Sequence, residues 1–185
     1  MKHLLTAAAA ATLIAASSAS AQTVTGSLGA FEFAAIEIEV SGGTTLVIDT
    51  IGSTNAGFFG NDTELGLYDG VGPSATLIAS NDDFGSFGDG ETESLLDFGV
   101  DSPIDTDLVE TGPYPGDGVY TVVVGPFNTV FGGTLGEVEV LDDLPTEFVV
   151  NFDSDGVVTV AVIPEPASLG LLSVAGLGLI RRRRA

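Results

Sequence analysis

The 185-residue sequence contains no cysteine and no tryptophan, and from Leu4 to Ile180 it has no lysine, arginine or histidine. Each absence closes a class of function. Without cysteine there can be no disulfide framework and no thiolate metal site. Without a cation in the body of the chain nothing neutralises phosphate, so nucleic acid is excluded as a partner. The same stretch offers no imidazole, thiol or amine for acid–base or covalent catalysis, and it can form no internal salt bridge. What it does offer is acid. The chain has 26 Asp+Glu against 5 Lys+Arg, a formal net charge of −21, and every carboxylate except Glu165 falls between residues 22 and 163. A hydrophobic fraction of 44% still argues for a folded domain rather than a disordered polyanion. The roughly 140 residues of that stretch are enough for one core.

The two ends read as addresses. Lys2 and His3 form a short positive region, Leu4 to Ala16 is uncharged and rich in Ala and Leu, and Ala19-Ser20-Ala21 supplies small residues for cleavage. This pattern predicts a secretory signal peptide over 1–21, removed by signal peptidase at Ala19 and Ala21. The sequence then predicts an acidic domain over 22–163 and a tail over 164–185. In the tail, Pro164-Glu165-Pro166 precedes the uncharged segment Ala167 to Ile180, and Arg181, Arg182, Arg183 and Arg184 follow. As a helix that segment would span about 21 Å, short of the roughly 30 Å hydrocarbon core. Gly170, Gly176 and Gly178 weaken it further. The expectation is a short hydrophobic helix that enters the membrane transiently, with the arginines on the cytoplasmic side.

Pro-Glu-Pro, a short apolar segment and a terminal arginine cluster, in that order, resemble the PEP-CTERM sorting signal of Gram-negative, exopolysaccharide-producing bacteria. The resemblance implies recognition by an exosortase, a membrane cysteine protease. Cleavage near the Pro-Glu-Pro would then release the cargo or transfer it to the cell surface.

Between the ends, alternation of apolar and polar residues dominates. Phe31–Phe33, Ile36–Val40, Thr45–Thr50, Glu64–Tyr68, Thr76–Ala79, Ser94–Val100, Val119–Val124, Glu137–Leu141, Glu147–Phe152 and Val157–Val162 all read as strands with one wet face. Glu32, Glu37, Glu39, Glu137 and Glu139 fall on the wet phase. Turn chemistry separates the runs at Ser41-Gly42-Gly43, Asp69-Gly70, Asp117-Gly118, Gly132-Gly133 and Asp155-Gly156. The last of these reads as a hairpin turn, with Asp153 and Asp155 in it. The fold class predicted is all-β: a single antiparallel β-sandwich, jelly-roll-like, flanked by the signal peptide and the tail helix.

Within this cargo, Asp62-Thr63-Glu64-Leu65-Gly66-Leu67-Tyr68-Asp69-Gly70, then Leu77 to Asp83, and later Gly118 to Val124 resemble the bacterial pre-peptidase C-terminal domain. That resemblance implies an accessory or binding sandwich of the kind found beside secreted hydrolases, some relatives of which bind calcium. The insert Phe84–Thr92 and the loop Asp101–Asp117 depart from a compact version of that domain.

Carboxylates alone can do three things here. Calcium takes six to eight oxygen ligands, and Asn81-Asp82-Asp83, Asp89 and Glu91 lie in a Gly-rich loop that offers them. If the Glu64–Tyr68 and Thr76–Ala79 runs form a hairpin around Asp69-Gly70, the start of the first faces the end of the second. Asp62 then meets Asn81–Asp83, which makes Asp62, Asn81, Asp82, Asp83 and Asp89 the candidate calcium ligands. Alternatively, Asn81-Asp82-Asp83 only ends a strand as a solvated acidic turn. The third reading is glycoside hydrolysis by a carboxylate pair, but among so many carboxylates some pair at a suitable separation arises by chance, and tryptophan, a usual platform of sugar sites, is absent. The expectation is therefore a non-catalytic structural or binding protein of the cell envelope or extracellular matrix, touching exopolysaccharide. A protein-interaction module of a surface complex is the alternative.

Overall fold

The computed structural model describes residues 12–13, 21–55, 62–82, 92–99 and 110–161. Asp83, Asp89 and Glu91, most of the predicted signal peptide, and the Pro-Glu-Pro tail lie outside them. Fourteen strands follow in chain order. They are β1 (Thr12–Leu13), β2 (Gln22–Leu28), β3 (Ala34–Ser41), β4 (Leu46–Asp49), β5 (Thr54–Asn55), β6 (Thr63–Asp69) and β7 (Thr76–Asn81), then β8 (Leu95–Phe98), β9 (Glu110–Gly112), β10 (Gly118–Pro126), β11 (Thr129–Val130), β12 (Glu139–Val140), β13 (Thr146–Asp153) and β14 (Val157–Val160). One 3-10 turn, Leu135–Glu137, interrupts them. The described residues contain no α-helix, and none of their helices is long and apolar enough to cross a membrane.

Twelve of the strands form two stacked sheets, and β11 pairs with β12 in a separate two-stranded sheet. Sheet A runs β1-β2-β13-β4-β8-β9 with β5 beside β13, and sheet B runs β14-β3-β10-β6-β7. All pairings are antiparallel except the short parallel contact of β8 with β9. The all-β sandwich expected from the alternation is what the chain builds. The period-2 pattern sends Val24, Leu28, Ile48, Leu96, Phe98, Phe148, Val150 and Phe152 inward from sheet A. From sheet B come Ile36, Ile38, Val40, Leu65, Leu67, Val122 and Val124, and the two sets close one core. Glu37 and Glu39 fall on the outer face of β3, as their phase requires.

Sheet B differs from a half-wet sheet in its middle. Six of the seven residues of β6 are buried, because residues 127–140 fold back over its outer face. Phe131, Leu135 and Val138 pack there with Tyr68, Ala75 and Val123. Gly66 makes room for this lid, since a Cβ at that position would stand 2.5 Å from the Phe131 ring.

Three sequence expectations are corrected. Of the expected strand Glu137–Leu141 only Glu139–Val140 pairs, because Glu137 closes the 3-10 turn and its carboxylate accepts from the Thr134 amide at 3.0 Å. Phe31–Phe33 is a turn and not a strand: Phe31 is left-handed (φ 61°), and the Glu32 carboxylate accepts from the Gly29 amide at 2.9 Å. Asp155-Gly156 is not a hairpin turn. The strands on either side belong to different sheets, β13 beside β2 and β4, and β14 beside β3. The dipeptide marks a β-arch crossing between layers. A second arch, Gly42–Thr45, carries β3 of sheet B into β4 of sheet A, and the two arches lie against each other. The Asp155 carboxylate accepts from the Thr44 amide at 2.7 Å, the Thr44 hydroxyl at 2.6 Å, the Thr45 amide at 2.9 Å and the Thr45 hydroxyl at 3.1 Å. The Ser154 hydroxyl donates to the Thr45 carbonyl at 2.6 Å. Only glycine fits at the seam: a Cβ on Gly156 would lie 2.5 Å from the Gly43 nitrogen.

Candidate functional site

The β6–β7 hairpin turns at Asp69-Gly70 as expected, and its register sets Leu65 opposite Asn81. The start of β6 therefore lies beside Asn81 and Asp82, with Glu64 next to Asp82, at the end of the sandwich remote from the arches. Of the carboxylates singled out from sequence, Asp82 stands at this strand end beside Glu64, and Asp83 and Asp89 lie outside the described residues.

The backbone there is held by a buried polar seam between the sheets. The Thr63 hydroxyl donates to the Thr50 hydroxyl oxygen at 2.7 Å, and the Ser94 amide donates to that same oxygen at 2.8 Å. The Ser94 hydroxyl lies 2.6 Å from the Thr63 carbonyl, 2.8 Å from the Asn81 carbonyl and 2.6 Å from the Asp82 carbonyl. A hydroxyl has one proton to donate, so three carbonyls converge on a single donor. The Asn81 side-chain oxygen is engaged structurally, accepting from the Leu95 amide at 3.0 Å. These bonds fix the end of β7 against the start of β8.

The residue that sequence reading missed as a site residue is Glu64. Side chains alternate along a strand, so Glu64 shares the outer face of β6 with Gly66 and Tyr68. The lid covers that face, and Glu64 is 4% exposed. Its carboxyl is pushed up from 4.5 to about 9, first by burial, then by the negative charge of Asp82 and a hydrogen bond to it. The backbone amides of Asn128 and Thr129 oppose the shift by donating to the same carboxyl. At neutral pH Glu64 therefore holds a proton and shares it with Asp82, unless another cation takes the proton's place. Those amides belong to the β10–β11 turn, where Asn128 is left-handed (φ 62°). One carboxyl thus ties that turn to the hairpin end.

Asp62, the residue before β6, is buried (6% exposed), while Asp82 faces solvent. Among the described residues no three His, Cys, Asp or Glu side chains are grouped closely enough to hold a metal ion. The donor set is entirely oxygen (carboxylates, carbonyls and a hydroxyl), which suits a hard cation and not a soft one. Asp153 and Asp155, the other acidic pair, sit at the opposite end of the sandwich. Asp155 is ionised well below the usual carboxylate range by the Thr44 and Thr45 donors.

Comparison with known families gives one match. Residues 162–184 fit the model of the PEP-CTERM protein-sorting motif. No curated protein matches the chain. The motif marks the chain as an exported bacterial protein that an exosortase sorts to the cell envelope, as the order of Pro164, Glu165, Pro166 and the Arg181–Arg184 cluster implied.

Proposed function

We propose that the sandwich delivered by this signal is a non-catalytic binding or structural module of the extracellular polysaccharide matrix, similar to pre-peptidase C-terminal accessory domains. In this reading it uses calcium at the Glu64–Asp82 pair. One observation carries the proposal: two carboxyls share a hydrogen bond at a fixed strand end, one of them buried, in a chain with no internal cation to serve them. A single proton satisfies that pair at low pH. As pH rises a divalent cation is the natural replacement, with Asp62, Asp83 and Asp89 as the further oxygen ligands expected from the sequence. Bound calcium would supply charge neutralisation there. It would also give an anionic protein a bridge to anionic polymer, which its bare surface repels.

The same pair does not have the spacing of a glycosidase pair. Carboxyls in direct hydrogen bond leave no space for a glycosidic bond between them, whereas glycosidases hold theirs about 5–9.5 Å apart. Calorimetric titration of calcium into chelator-treated protein tests the reading. Expected is a binding heat at pH 8 that weakens at pH 5, with proton release on binding. No heat and no thermal shift at millimolar calcium would overturn it. Glycan binding with and without calcium tests the matrix assignment separately.

A further inference from the structure

The body of the chain is so acidic that its uncharged surfaces stand out, and one is a sheet edge. Strand β2, Gln22-Thr23-Val24-Thr25-Gly26-Ser27-Leu28, carries no charged side chain, and the first carboxylate of the chain is Glu32. One side of β2 is paired with β13 through seven consecutive positions without a register shift. Among the described residues its other side pairs with β1 alone, Thr12 opposite Thr25 and Leu13 opposite Val24. Strand β1 lies inside the leader, so cleavage at Ala21 removes it and opens the outer edge of the first strand of the exported protein.

The other sheet edges are guarded. Strand β7 carries an irregularity against β6 at Leu67/Tyr68 and runs into Asn81-Asp82. Strand β9 is three residues long and begins with Glu110. Strand β14 has four residues and follows the Asp155 arch. Long, flat edges are normally protected by charge, proline, bulges or short length, and β2 has none of these along its length, its single charge being the α-amino group that cleavage leaves at Gln22.

We propose that the β2 edge, once vacated by the leader, pairs antiparallel with the same strand of a second copy and joins two sandwiches through one continuous sheet. This goes beyond the calcium reading and does not depend on it. The leader's own pairing shows that the edge accepts an antiparallel strand at Val24 and Thr25. A two-fold arrangement centred on Thr25, the midpoint of β2, sets that residue opposite its counterpart. Thr23, Thr25 and Ser27 then share the outer face, and Val24, Gly26 and Leu28 the inner one. A second copy is the partner that the charge pattern fits. The seam brings no carboxylates together, and the remaining repulsion between two polyanions is screened within about 8 Å at physiological salt. Association therefore strengthens with ionic strength, the reverse of a charge-complementary interface.

The test uses the exported protein, its N-terminus at Gln22 verified by mass spectrometry, and the precursor that retains residues 1–21. Sedimentation equilibrium is expected to show a monomer–dimer equilibrium for the exported form that shifts toward dimer from 0.02 to 0.5 M NaCl, and a monomeric precursor. Directly opposed residues in such a pair have Cα atoms about 4.5–5.5 Å apart, within the range a disulfide spans. In a chain without cysteine, Thr25→Cys should therefore give a cross-linked dimer under mild oxidation. Thr159→Cys, exposed on β14, should stay monomeric. Thr25→Asp, also at an exposed position, should raise the dissociation constant about fivefold through like charges placed face to face, with an unchanged melting curve. A monomer at every salt concentration, equal association by the precursor, or equal cross-linking at Thr25 and Thr159 would each overturn the proposal.

Discussion

The two ends of the sandwich use the same functional group in opposite ways. At the arch end, Asp155 is fully exposed, is met by two amides and two hydroxyls, and stays ionised far below the usual range. At the other end, Glu64 is covered by residues 127–140, faces another carboxylate, and keeps its proton up to about pH 9. Neither end has a lysine or arginine to draw on. A carboxylate in this chain is stabilised either by neutral donors aimed at it or by taking up a positive ion, and the backbone decides which. Where the chain turns between sheets, free amides are plentiful and the charge is kept. Where strands are already paired and a lid closes over them, donors are scarce and the charge is surrendered.

Breaking the arch seam should have the largest effect. Gly156→Ala pushes a Cβ against the Gly43 and Ser41 backbone, and a loss of about 3 kcal/mol in urea unfolding is expected from this overpacking. Replacing the buried acid should come next and act in the opposite direction. Glu64→Gln keeps the contacts to Asn128 and Thr129 and can still donate to Asp82, so at pH 8 without calcium it should stabilise the fold by roughly 1–3 kcal/mol, the scale of a poorly satisfied buried group. It should also remove the calcium response. If Glu64→Gln destabilises at pH 8, the buried charge was already compensated and the contrast between the ends fails.

The pH profile separates the two ends without mutation. Glu64 binds its proton more tightly folded than unfolded, so wild-type stability should fall as pH rises from about 4.5 to 9 in the presence of chelator, and this slope should flatten with calcium. Asp155 has the opposite sign. Its contribution is complete above the ordinary aspartate range and is lost as pH falls below it. Asp155→Asn should have the smallest effect, a modest drop in melting temperature at pH 7 that vanishes under acid, because the site is open to solvent.

Much of this was legible in the residues. Alternation located β3, β4, β6, β10, β13 and β14, and Tyr68-Asp69-Gly70 gave the hairpin that sets the start of β6 beside Asn81 and Asp82. Three features were not legible, each for a physical reason. Strand β2 escaped notice because its outward residues are Thr and Ser and its inward set includes Gly26, so the apolar contrast is weak. Asp155-Gly156 correctly signals a reversal, but a turn dipeptide does not choose the partners of its flanking strands. That choice rests on Thr44 and Thr45, 110 or so positions away along the chain. Glu64 sits in a run whose phase predicts a wet face, and only the folding of Phe131, Leu135 and Val138 over that face dries it. The signals missed were those written in distant segments.

The position of β14 has a mechanical consequence. The tail leaves the sandwich directly after this strand, whose pairing with β3 ends at Val160 opposite Ile38 and one further bond from the Ala161 amide to the Glu37 carbonyl. A sideways pull on the tail opens those bonds one at a time, like a zip, from Ala161 back to Val157. The tear then reaches the Asp155 clasp, where four short bonds to Thr44 and Thr45 must give way together before sheet A feels the load. Any load that enters the sandwich through Ala161 thus meets a weak strand that yields first and a knot behind it that stops the tear.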